Sequence, residues 1–141
     1  MTWTSFHYRA DVLRDVIAAA DARRDGLLPM DVPGLADRVA YAFGDELGLL
    51  GALQLRWHTR LAGRIEHELM RLPSDPATAV AVAWRDTARD LPGVRAVIEH
   101  YRDHPTDDRM ARATAAAAAK ERALLTVLGG APTSRVPDNA A

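Results

Sequence analysis

Two histidines, His100 and His104, stand four residues apart, a spacing that can set two imidazoles on one metal ion from the same helix face. Nothing nearby completes a ligand set. The chain has no H-E-x-x-H, and Glu99 and Asp103 point to other sides of that helix. The plainer reading is two partly exposed histidines in a last helical turn, where a cation suits the helix dipole.

Polar residues on apolar faces are a second place for chemistry. Gln54 and His58 fall one turn apart beside Trp57, Glu68 falls on the same face, and Glu121 lies inside an apolar stripe near the end of the chain. A buried carboxylate is costly unless it is paired, and such groups often mark a site. Trp57 and Trp84 serve as core anchors, and two such rings can also wall a ligand cavity. Trp57, His58, Glu68, Trp84 and Glu121 are therefore the expected lining of an interhelical pocket. In an enzyme, His58 with Glu68 or Glu121 would be acid and base. The structural alternative pairs Glu68 with Arg64 and Arg71 at helical spacing, Glu121 with a rim arginine, and His58 with Gln54. A ferritin-type di-iron site needs Glu-x-x-His pairs, and the chain contains none.

Arg56, Arg60 and Arg64 repeat every four residues, with His67 and Arg71 extending the row. Such a row can follow a phosphate backbone or hold another anion, although a charge row is usually a solvated face. Nucleophilic catalysis has little to stand on. The chain has no cysteine; its serines are Ser5, Ser74 and Ser134, none of them in G-x-S-x-G; and there is no glycine-rich phosphate loop. Without cysteine there are no disulfides, iron–sulfur clusters or thiolate zinc sites. No cofactor is expected.

These residues need positioning, and the chain offers helices to do it. It has 141 residues, 48% of them hydrophobic and 26% charged, with a formal net charge of −1. That is the size and composition of one globular domain, with no global attraction to nucleic acid or an anionic membrane. Lys120 is the sole lysine beside 17 arginines, a bias read as coding preference. The first residues lack a basic segment followed by an apolar run, and no stretch approaches the roughly 18 apolar residues of a membrane span, so a cytoplasmic setting is expected.

Strand signals are nearly absent, whereas punctuated helix signals recur six times. The first helix is expected over about 5–24, with Phe6, Ala10, Leu13, Val16, Ile17 and Ala20 as its apolar stripe and Gly26 as a left-handed stop. A short second helix follows over about 33–43. The third, over about 45–72, is the longest, and Pro73 ends it. Leu50, Leu53, Trp57, Leu61, Ile65 and Leu72 make one apolar face of it. Gly48, Ala52, Leu55, Thr59, Ala62, Gly63 and Met70 make a second, mostly small face. A helix apolar on most sides is buried on most sides, so a neighbour is expected close over the glycines. Further helices are expected over about 76–89, 92–104 and 106–128. The run Ala115 to Ala119 invites a close helix contact, including one with a second subunit. The expected architecture is an all-α bundle of five to six helices, one domain over 1–130, with a disordered tail over 131–141.

The order Val12-Leu13, Ala18-Ala19-Ala20, Gly26, Leu35-Ala36 and Tyr41-Ala42-Phe43-Gly44-Asp45-Glu46-Leu47 resembles the first helices of tetracycline-type repressors. Between Leu35-Ala36 and Tyr41 only four residues remain, too few for the turn and recognition helix that family uses on DNA. The match covers about a third of the chain, so the resemblance implies a ligand-sensing or dimerising bundle without a DNA reader.

The leading expectation is a non-enzymatic binding or regulatory protein, acting as a homodimer or through an interhelical pocket for a small molecule. A repressor-like sensing bundle, a nucleic-acid adaptor using Arg56, Arg60, Arg64 and Arg71, and a histidine–metal protein or acid/base enzyme are the alternatives. Nucleic acid is the less favoured partner, and no membrane role is expected.

Overall fold

The computed structural model describes residues 2–130; the expected tail over 131–141 lies outside the described residues. Six helices and no strand appear among them: α1 (Trp3–Arg23), α2 (Leu35–Phe43), α3 (Glu46–Arg71), α4 (Pro76–Asp90), α5 (Pro92–Asp103) and α6 (Asp108–Leu128). The expected all-α class and the long third helix are both present.

Local chemistry sets the boundaries. Thr2, Asp45, Asp75 and Asp107 each accept a hydrogen bond from a backbone N–H three residues on, so four helices start on side-chain caps. α2 starts two residues later than its proline implies. Gly34 has φ +79°, which a right-handed helix cannot contain. α1 stops earlier than expected for a similar reason. The left-handed residue that closes it is Arg24 (φ 54°), whose N–H returns to the Ala20 carbonyl, and Gly26 takes the next bend.

α3 touches all five other helices. Leu49, Leu50, Leu53, Trp57, Leu61 and Ile65 are all buried along it, and with Val12, Val16, Val39, Val94 and Val97 they form one continuous core. Burying a side chain of this kind stabilises by about 1.5–3 kcal/mol each, before the entropy of ordering it. α5 crosses α1 at Gly93. A Cβ there would stand 2.2 Å from the Ala20 backbone, and the Gly93 N–H donates to Asp21 Oδ1 at 2.9 Å.

Two packing expectations are corrected. Of the α1 stripe only Val16, Ile17 and Ala20 are buried, joined by Val12 from outside it; Phe6 and Ala10 are exposed and Leu13 is half-buried. The small face of α3 is only partly covered among the described residues. A Cβ at Gly48 would stand 2.2 Å from the Phe43 carbonyl oxygen, whereas one at Gly63, or at Gly51 on a neighbouring side of the helix, would meet nothing within 4 Å, and Leu55 and Met70 are 64% and 83% exposed. The two departures meet in one place: Phe6, Ala10 and Leu13 of α1 and Ala52, Leu55 and Gly63 of α3 line the same groove.

Candidate functional site

The interior polar cluster forms where α3, α4, α5 and α6 converge. Glu121 Oε1 accepts from Trp57 Nε1 at 2.8 Å and from an Arg95 guanidinium nitrogen at 2.8 Å; Oε2 accepts from Trp84 Nε1 at 2.9 Å. Arg95 also donates from Nε to Glu99 at 2.8 Å. Its guanidinium carbon lies 4.7 Å from the Trp57 ring centroid and 5.1 Å from that of Trp84. The two indoles meet edge to face, 5.8 Å apart. Burial would raise the Glu121 carboxyl, but the Trp84 hydrogen bond, the Arg95 charge and the Trp57 hydrogen bond outweigh it, and the group is held below the usual carboxylate range. Glu121 is thus ionised and satisfied on both oxygens. Each oxygen already accepts at least one hydrogen bond from within the fold.

Of the five residues expected to line a pocket, the fold joins Trp57, Trp84 and Glu121. His58 lies at the edge of this cluster. Burial and the Lys120 cation lower its pKa, and Glu121 opposes them. Glu68 is remote, almost three turns further along α3, buried and held by Arg71 at 2.6 Å. A cleft of about 170 Å³ opens onto the cluster, lined by Glu121 and Arg95 together with Gln54, Arg102, Thr114 and Arg122. It falls below the ~300 Å³ at which ligand pockets usually begin.

His100 and His104 stack with ring centroids 5.0 Å apart, and His104 Nδ1 lies 3.3 Å from the His100 carbonyl. Among the described residues, no group of three or more histidine, aspartate or glutamate side chains is arranged to hold a metal.

The arginine row has a different setting. Arg56, Arg60 and Arg64 border a groove of about 680 Å³ between α1 and α3, on the far side of α3 from Trp57. Leu55 and Trp57 differ by two residues, hence by about 200° around the helix. The floor is apolar: Phe6, Ala10 and Leu13 from α1, Phe43 from the end of α2, and Ala52, Leu55 and Gly63 from α3. These are the two strips that the described residues leave uncovered. Arg9 of α1 joins the rim, its guanidinium 5.1 Å over the Phe43 ring. Arg64 reaches Asp86 at 3.4 Å and Asp90 at 3.8 Å, and Arg60 reaches Asp90 at 3.8 Å. Arg9 and Arg56 make no ion pair among the described residues. The Nε–H groups of Arg9 and Arg64 are buried and have no acceptor there either. Buried donors rarely stay unmatched in a folded protein. Arg71, the fourth arginine of the expected anion site, lies beyond the groove on Glu68.

Sequence reasoning missed Arg95, which has no distinguishing signal among 17 arginines, and it missed the groove as a unit. A signal for the groove was present. The third helix carries more apolar faces than the neighbouring elements can cover. No known protein family, curated protein or solved structure matches the chain.

Proposed function

We propose that this is a non-enzymatic binding protein that works through the α1–α3 groove rather than through the Trp57–Glu121 interior. One observation carries the reading: an apolar trough of about 680 Å³ runs along the most core-forming helix with none of the described residues over it. That size falls within the roughly 300–1,000 Å³ of ligand pockets. A glycine in the groove supports it. Gly63 weakens the helix interior by about 1 kcal/mol relative to alanine. No contact among the described residues requires it. The interior cluster, by contrast, has its hydrogen bonds filled from within. A cytoplasmic setting accords with the lack of cysteine.

The test is a neutral apolar fluorophore, N-phenyl-1-naphthylamine, added to the folded protein. Its emission should rise with native protein, fall to background with Leu55→Glu, and persist with Trp84→Phe, each variant being checked for an intact melting transition. Emission indifferent to Leu55→Glu, in a protein that sediments as a monomer, would end the reading.

A second reading is favoured by the exposure of Met70 and the open space at Gly51 and Gly63: a second copy supplies the neighbour that α3 lacks. It predicts a dimer in sedimentation that Gly63→Trp converts to monomer.

A further inference from the structure

We infer that the ligand of the α1–α3 groove is an amphipathic anion, a single molecule with an apolar body and a carboxylate or similar oxyanion head. The inference rests on the groove reading above and adds the charge of the occupant. Phe6, Leu13, Phe43 and Leu55 offer a surface for an aliphatic or aromatic body. Four arginines border the same space, and the two acids that reach any of them, Asp86 and Asp90, contact only Arg60 and Arg64. The rim therefore keeps a positive excess at Arg9 and Arg56. Arg9 and Arg56 thus offer guanidinium donors that no carboxylate among the described residues engages, and an oxyanion brings acceptors.

The same charges argue against a second copy as the occupant. A two-fold interface sets a surface against itself, so the Arg56–Arg60–Arg64 row would face its own image. Like charges so placed repel unless an anion separates them. A nucleic-acid backbone fits no better. The arginines surround an apolar floor rather than a polar track, and the overall charge of −1 adds no attraction.

The test uses isothermal titration of the full chain with three probes that share a ten-carbon body: decanoate, decan-1-ol and decyltrimethylammonium, all kept below micelle formation. Decanoate should bind at one site per chain, about tenfold or more tighter than decan-1-ol, because a charge-assisted contact contributes on that scale. The cation should not bind. Arg56→Glu should weaken decanoate about tenfold and leave decan-1-ol unchanged, whereas Arg56→Lys should keep most of the decanoate affinity. Arg56 is exposed and outside the core, so these variants should melt like the parent protein. Equal binding of decanoate and decan-1-ol overturns the anion inference and leaves the groove reading standing. So does a dimer that Gly63→Trp dissociates, with no decanoate binding. Binding to phosphatidylglycerol vesicles without binding to decanoate overturns it in favour of a membrane surface. No binding of any probe, in a monomer, overturns both the inference and the groove reading.

Discussion

Glu121 joins donors from three other helices, so its removal is expected to cost more than one hydrogen bond. Glu121→Ala leaves two indole N–H groups and one guanidinium contact unmatched; it should lower the unfolding free energy by about 3 kcal/mol, read by urea denaturation. Glu121→Gln keeps an acceptor and removes the charge, so it should cost less. The carboxyl pKa is lowered in the folded state, and its contribution to stability is complete above the ordinary glutamate range and lost as pH falls through the folded value. The stability gap between the parent protein and Glu121→Gln should therefore shrink on acidification; a gap that grows would contradict the ionised network. His58 has the opposite relation to protons. Its lowered pKa means that protonation opposes folding as pH drops below the ordinary histidine value, and its ring resonances should titrate below those of a model peptide. At this scale the residues were legible in part. The sequence marks Trp57, Trp84 and Glu121 as polar-tipped groups on apolar faces, but not their union, because that depends on where four separate helices cross.

At the scale of the element, start and stop chemistry made the helices readable to within a few residues, since Asp45, Pro73, Asp75, Pro76 and Asp107 act locally. Packing was less readable. The stripe through Phe6, Ala10 and Leu13 continues the spacing of Val16 and Ala20, yet only the later part meets a partner. Periodicity records which face is apolar and carries no record of what covers it. The two classes of glycine show the difference, and substitution should separate them. Gly93→Ala would push a methyl group into the Ala20 backbone, and a loss of about 2 kcal/mol or more is expected. Gly51→Ala meets open space in a helix and should raise thermal stability by up to about 1 kcal/mol. If Gly51→Ala instead destabilises and dissociates an oligomer, a second copy covers that face.

At the scale of the whole molecule, α3 contacts every other helix and the core is one cluster, so unfolding should be a single transition with matching midpoints by calorimetry and tryptophan emission. Separate midpoints would mean that α6 detaches on its own. The all-α class was legible because six apolar-striped segments with start and stop signals, and hardly a strand signal between them, leave no other layer to build. The groove was legible only as a surplus of apolar face on the third helix, because periodicity does not record which residues of α1 stand opposite it. The Glu121 junction also bears on how the chain is made. Trp57 precedes its acceptor by 64 residues. Ribosomes add roughly 5–20 residues per second, so the indole waits several seconds for its carboxylate. Trp84 and Arg95 are also made before Glu121, so until α6 is synthesised two indole N–H groups and a guanidinium lack the carboxylate that joins them in the finished fold.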